Sequence, residues 1–397
     1  MDFTFTEEQQ AAVEAARAVF SDVAPDGAPS PALTPGAVAE DIDRQLWHEL
    51  ARTDLLGLTL SPDHGGAGLD PIALCLVLRE SAKVLARVPL LESCAVAMAI
   101  ERYGDRTLAA ELLPRAGRGE LILTVGAHGR SGHDPAELAV SARPYGAGDG
   151  AGNGAGEGET DGSAGGSGWV LDGVQSAVPW AQAADWIAVP AHTAGGRPVL
   201  ALVTRTRDGV TLADQVSTNG ERLAEVRLDA VRVEARELID AAGCWDWLRS
   251  LLTTGTCALA LGLGERVLAM TAEYTGKREQ FGFPVATFQA VAVQAADRYI
   301  DLRAMEATLW QAAWRISTDT GGPLPAAGDV AVAKIWASDG VRRVVQTAQH
   351  LHGGFGADTD YPLHRYHAWA KQIELSLGPA AAHEEGLGDL LAAHPLG

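Results

Sequence analysis

Cysteine is scarce in this sequence, four residues among 397. Cys75, Cys94, Cys244 and Cys257 show neither the paired spacing of a metal site nor the density of a disulfide-stapled secreted domain. Three of them fall in apolar helical stretches and read as reduced core residues. Positive charge is also short. The 31 Lys and Arg stand against 51 Asp and Glu, a formal net charge of −20, which repels polyanions and makes nucleic acid a poor candidate partner, so none is expected. No basic-then-apolar segment opens the chain, and no uninterrupted apolar run is long enough to cross a bilayer. A cytoplasmic protein with no membrane partner is therefore expected. What remains is ordinary for a globular chain: 47% hydrophobic and 21% charged residues, in a length that suits two or three structural units.

Helical periodicity dominates both ends. Thr4 or Thr6 can cap a first helix running to Phe20, and helical patterns return at Asp41–Arg52 and Ile72–Leu85. Between the latter two, Ser61–Leu69 is a glycine-punctuated turn. No Lys-Ser/Thr follows its glycines, so a connector is expected there rather than a phosphate cradle. From about Leu121 the period changes to short segments rich in β-branched and aromatic residues: Leu121–Val125, Leu138–Arg143, Trp169–Val174, Trp186–His192, Val199–Arg205 and Leu223–Val233. Gly146–Gly168, inside this block, has little to bury and much chain entropy to lose, and reads as a mobile loop joining two strands. The resulting expectation is an α+β fold with an N-terminal α-helical domain (1–120), a middle β-barrel-like domain (121–240) and a C-terminal four-helix bundle (241–397).

The most informative stretch is Lys277-Arg278-Glu279-Gln280-Phe281-Gly282. Before it, Leu248, Leu251, Leu252, Leu259, Leu263 and Val267 recur at helical spacing, and Gly276 is a natural stop. After it, Thr287 can cap a second helix with Phe288, Val291, Tyr299, Leu302 and Leu309 on one face. Arg278 would then be held between two rigid rods. A guanidinium is suited to grip a pyrophosphate in a forked geometry, with Gln280 and Phe281 beside it as a hydrogen-bonding group and an aromatic surface. Further on, Val330–His350 reads as a helix, and Pro379 suits the first turn of a last one.

Arg278-x-x-Phe281-Gly282, then Phe288-Gln289-Ala290-Val291, then His350-Leu351-His352-Gly353-Gly354-Phe355-Gly356, then Tyr361-Pro362 and Arg365, together resemble the C-terminal half of the acyl-CoA dehydrogenase family. The Ser61–Leu69 turn resembles that family's N-terminal domain. The resemblance implies FAD as cofactor, shared across a subunit interface, with an acyl-CoA substrate and electron-transfer flavoprotein or a similar acceptor as oxidant. It also implies cofactor contacts at Arg278, Gln280, Phe281, Phe288, Gln289 and Val291, and at His350, where the family has glutamine, with Leu351, Gly353 and Gly354. The spacing of His350 and His352 does not suit a metal site.

The same resemblance exposes departures. The reaction needs a base for the α proton and a flavin that takes the β hydride. The family's two base positions fall here on Leu377 and Leu252, so no catalytic residue is expected; Glu374 and Glu265 are the nearest candidates for a displaced base. The strand-turns that hold the flavin ring correspond to Val125–Asp134 and Ser176–Ala181, where hydroxyls are mostly missing and Pro179 removes an amide donor. The chain is most similar to the base-lacking subunit of the heteromeric α2β2 acyl-CoA dehydrogenases of actinobacterial steroid side-chain degradation. That resemblance implies a homologous catalytic partner. Two other readings stand beside it: a self-sufficient homotetramer with a relocated base, and an acyl-CoA-binding relative with no redox role.

Overall fold

The computed structural model describes residues 4–31, 33–130, 138–145, 168–318 and 320–395. The glycine-rich run up to residue 167, and positions 131–137 of the first strand-turn, lie outside the described residues.

Helices α1 (Glu7–Phe20), α2 (Arg44–Arg52), α3 (Pro71–Ala82), α4 (Leu90–Tyr103) and α5 (Arg106–Gly117) come first. Thr6 closes a capping box on α1: its hydroxyl accepts from the Gln9 amide at 3.2 Å, and the Gln9 side chain accepts from the Thr6 amide at 3.0 Å. Asp70 caps α3 just ahead of Pro71, which needs no amide partner at the first helical position.

Strands β1 (Leu123–Val125), β2 (Val140–Tyr145), β3 (Gly168–Pro179), β4 (Trp186–His192), β5 (Pro198–Thr204), β6 (Val210–Val216), β7 (Arg222–Glu234) and β8 (Leu238–Ile239) follow. They form one mixed sheet in the order β6-β7-β3-β2-β4-β5-β8, with β1 lying parallel on β4. Strands β6 and β8 add to those expected. The sequence at β6 is mostly exposed, so burial leaves no alternation there to read.

The C-terminal part holds α6 (Cys244–Lys277), a two-residue hairpin of β9 (Glu279–Gln280) and β10 (Phe283–Pro284), α7 (Gln289–Thr318), α8 (Ala326–His352), α9 (Leu363–Leu375) and α10 (Ala380–Ala393). Helix α6 is long and apolar enough to cross a membrane by composition, contrary to the expectation that no such stretch exists, but 78% of that stretch is buried inside the protein. It is the central core helix. Its buried threonines satisfy their hydroxyls on carbonyls one turn back, as Thr256 does on Leu252 O at 2.9 Å. All four cysteines are free, buried and helical.

Small residues let α6 sit this deep. A Cβ built on Gly262 would lie 1.9 Å from the Arg79 carbonyl oxygen of α3, so only glycine permits the crossing. Gly262→Ala is expected to force the two backbones apart and cost about 1–3 kcal/mol, read as a lower urea midpoint with an unchanged slope.

Three local expectations are corrected. Helix α6 passes through Gly276 and ends at Lys277; the left-handed residues are Phe281 and Gly282, with φ of 54° and 82°. Thr287 does not cap α7, because its hydroxyl donates to Pro284 O at 2.7 Å, a local turn that takes the side chain before the helix can. The expected buried face of α7 is covered only in its second half. Leu302 and Leu309 are buried, whereas Phe288 and Tyr299 are 37% and 58% exposed and Val291 is half-buried; Val293 and Ile300, which lie outside the expected face, are also exposed, at 52% and 62%.

Candidate functional site

The Arg278 loop is built by a helix end and a tight hairpin. The Arg278 amide closes α6 on Tyr274 O at 2.8 Å, and the Val285 amide returns to Arg278 O at 2.7 Å. Phe281 and Gly282 both have positive φ, the signature of a type I′ turn, which favours Asn-Gly; a bulky aromatic at its first position is strained. The turn leaves the Phe281 ring 90% exposed, edge-on to Phe288 at 6.4 Å. Arg278, Gln280, Gln289 and His350 are exposed, Val291 and Leu351 half-buried, and Gly353 and Gly354 open to solvent. Among the described residues the Arg278 guanidinium has no ion-pair partner.

An aromatic stack ties this loop to the Gly353 turn. Tyr274, one helical turn before Arg278, lies against His352 at 4.4 Å and Phe355 at 5.3 Å, both nearly parallel to it. His352 Nδ1 sits 2.8 Å from Ala348 O, so it carries the proton and donates; Nε2, 3.1 Å from the Tyr361 hydroxyl, is then the acceptor. By spacing alone His350 and His352 look like one helix-end pair. The structure separates them: His350 is exposed, and His352 is a 3%-exposed wedge.

Leu252 and Leu377 lie away from this loop. The fold brings both to the wall of one cavity of about 150 Å³, together with Val125, Ala127, Pro179 and Trp180. Amide donors of the two strand-turns beside it are already engaged within the chain. The Gly129 amide donates to Gln175 Oε1 at 2.9 Å, the Ala177 amide to Gln215 Oε1 at 2.8 Å, and the Ser176 amide to Gly129 O at 2.7 Å. Gln175 is itself fully buried, its amide donating to Leu138 O at 2.6 Å.

Two family patterns match: the acyl-CoA dehydrogenase N-terminal domain over residues 6–120 and the C-terminal domain over 252–389. Acyl-CoA dehydrogenase FadE27 of Mycobacterium tuberculosis (strain ATCC 25618 / H37Rv) is 36% identical over 358 residues, 89% of each chain. The chain belongs to the acyl-CoA dehydrogenase family. Among solved structures, the ChsE4-ChsE5 complex from Mycobacterium tuberculosis contains a chain that superimposes with a TM-score of 0.86 at 34% identity, over 100% of both chains. A single-substitution variant of the steroid acyl-CoA dehydrogenase Tcur3481-Tcur3483 gives 0.84 at 36% identity over 98% of both. FAD is the cofactor of this family.

In this acyl-CoA dehydrogenase neither candidate for a displaced base reaches the cavity. Glu265 is held by Arg79 and by Lys83 at 3.4 Å, and Glu374 by Lys371 at 2.6 Å and Arg342 at 3.8 Å. Two groups that do line it, Glu92 and His128, were not singled out from the sequence. Burial pushes the Glu92 carboxyl up to about 7, against the hydrogen bonds it makes with its own backbone and with Trp180; burial likewise pulls His128 down to about 4. A single acid inside the apolar run Leu90-Leu91-Glu92-Ser93-Cys94-Ala95 was the available signal, since such residues are seldom buried without a purpose.

These two groups give opposite pH signatures. Between about pH 4.5 and 7 folded Glu92 keeps a proton that the unfolded chain has released, so it lowers stability as pH rises. Between about 4 and 6.5 folded His128 lacks a proton that the unfolded chain holds, so it raises stability as pH rises. Where the windows overlap the contributions oppose each other. Glu92→Gln is expected to uncover the His128 slope and to be more stable than the parent above pH 7 by roughly 2–3 kcal/mol, a difference that shrinks to nothing near pH 4.5 in urea titrations.

Proposed function

We propose that this chain is the base-lacking subunit of a heteromeric, flavin-dependent acyl-CoA dehydrogenase, and that it supplies the binding half-site for the ADP end of FAD to a homologous catalytic partner. The observation that carries the reading is an asymmetry. Leu252 and Leu377, neither of which can accept a proton, line one predominantly apolar cavity. The Gly129, Ser176 and Ala177 amides next to it are engaged within the chain, whereas the Arg278 loop is open.

In this reading Arg278 holds the pyrophosphate, Phe281 and Phe288 lie along the nucleotide, and Gln280, Gln289 and Val291 flank it. His350, Leu351, Gly353 and Gly354 contribute from the adjoining turn. FAD supplies the hydride acceptor for α,β-desaturation of an acyl-CoA thioester, and the partner contributes the base. The exposed Val293, Tyr299 and Ile300 fit burial against a second subunit in an α2β2 assembly. Similarity to the steroid acyl-CoA dehydrogenase structure favours a steroid side chain as the acyl group, with electron-transfer flavoprotein or a similar carrier as oxidant and the cytoplasm as compartment.

The test is flavin absorbance. Expressed alone, the chain is expected to be colourless and inactive; co-expressed with its homologous partner it is expected to yield a yellow complex that desaturates an acyl-CoA. A yellow, active single polypeptide would overturn the division of labour, and a flavin-free complex would overturn the redox role.

A further inference from the structure

Lysine is the rarest charged side chain of this protein: 27 arginines but only four lysines, Lys83, Lys277, Lys334 and Lys371, carry its positive charge. Three of the four amines are committed. Lys334 is buried and donates to Ser338 Oγ, Ile373 O and Glu374 O. Lys83 is held by Glu80 at 2.8 Å and by Glu265 at 3.4 Å, and Lys371 by Glu374 at 2.6 Å, all carboxylates that are mostly buried. Lys277 differs. Its side chain is 76% exposed, and its partner Glu273, 2.6 Å away, is 61% exposed. A pair with both ends in water is weak and opens readily, so this is the amine that a reagent in solution meets.

Lys277 is also the last residue of α6 and adjoins Arg278. The bland account makes it a helix-end cation, favoured by the C-terminal dipole and by a carboxylate one turn back. That account asks nothing of the Arg278 loop. The lysine nevertheless places a second positive charge beside a guanidinium that has no ion-pair partner among the described residues.

We propose that Lys277 is an acylation site, modified directly by acyl-CoA thioesters, and that its modification weakens the hold of the Arg278 loop on FAD. The first half stands alone, and the second rests on the half-site reading above. In the reaction the unprotonated amine attacks the thioester carbonyl carbon. A C–N bond forms, the C–S bond breaks, CoA leaves as its thiolate, and the proton of the amine passes to solvent. Nothing is oxidised or reduced. CoA carries phosphates, so two adjoining cations draw the reagent toward this amine, whereas Lys83 and Lys371 stand among carboxylates. The product is a neutral amide. The loop then loses one cation, and Glu273 becomes an uncompensated carboxylate one turn before Arg278. Both changes disfavour a bound pyrophosphate, so accumulating thioester lowers the flavin loading of the enzyme.

The experiment incubates the full chain with acetyl-CoA at pH 8 and follows each lysine by peptide mass spectrometry. Lys277 is expected to be acetylated at least tenfold faster than Lys83, Lys334 or Lys371. A rate no higher than that of Lys371 would overturn the site. The treated chain is then reconstituted with its homologous partner and FAD, and flavin release is followed by fluorescence on dilution. About three- to tenfold weaker flavin binding is expected, in proportion to the fraction acetylated. Lys277→Gln is expected to show the same loss without acetyl-CoA, and Lys277→Arg, which keeps the charge but not the nucleophile, is expected to make flavin binding indifferent to the treatment. Acetylated complex that binds flavin as tightly as the untreated complex, while Arg278→Ala binds it weakly, would overturn the regulatory half and leave the half-site reading intact. If Arg278→Ala also binds flavin fully, the half-site reading falls, and the mass spectra still decide the site.

Discussion

Arg278→Ala, purified as a complex with the partner subunit, is expected to hold FAD about ten- to a hundredfold less tightly than the parent complex while melting at the same temperature. A forked guanidinium on a pyrophosphate makes charge-assisted hydrogen bonds worth about 1.5–3 kcal/mol, and that sum is lost on truncation. Stability should not follow, because the side chain is exposed and no described carboxylate pairs with it. Flavin release measured by fluorescence on dilution reads the first quantity, and a thermal melt of the apo-complex reads the second. Arg278→Lys is expected to fall between the two, since an ammonium keeps the charge but not the fork. A variant that unfolds would place the arginine in the scaffold, and one that retains full flavin affinity would remove it from the half-site.

The second large effect lies in the scaffold behind the cavity. Lys334 on α8 is 1% exposed, and its ammonium donates to Ser338 Oγ at 2.9 Å, Ile373 O at 3.1 Å and Glu374 O at 3.0 Å. Two of these acceptors are the last carbonyls of α9, which have no partner within their own helix, so a lysine from the neighbouring helix caps that end. Burial pulls the ammonium down to about 8, and at neutral pH it remains mostly charged, the form that favours a helix C-terminus. Lys334→Ala is expected to cost about 3–5 kcal/mol, combining a void with an orphaned Ile373 carbonyl, while Glu374 O keeps the Ser338 hydroxyl at 3.1 Å. Lys334→Met, which keeps most of the volume, isolates the Ile373 carbonyl and should cost about 1–3 kcal/mol. Hydrogen exchange should quicken at the amides near Leu375–Leu377 in both variants, because that turn follows the end being capped.

How far the sequence led depends on what each residue answers to. Elements set by local chemistry were legible: the Thr6 cap, the Pro379 start of the last helix and the strand Trp186–His192 stand where the pattern puts them. Helix α9 went unanticipated, for its apolar positions are interrupted by His364, Arg365, His367 and Lys371, and what holds its end comes from α8. The loop around Arg278 was legible as a motif but not as a geometry. Gly276 looked like the residue needing positive φ, yet hairpin closure places that demand on Phe281 and Gly282. The meeting of Leu252 with Leu377 could be expected only through resemblance, because 125 positions of chain separate them. Glu92 and His128 escaped altogether, since their chemistry arises from tertiary burial that no local spacing encodes.

The uncovered turns of α7, with Phe281 and Phe283 projecting nearby at 90% and 62% exposure, have a consequence in the cell. A molecule with that ridge uncovered carries it into water, where it invites self-association, chaperone capture and proteolysis. On the heteromeric reading proposed above, balanced synthesis of the two polypeptides becomes a condition of survival for this one, and its abundance should track that of its mate even when its own transcript is held constant.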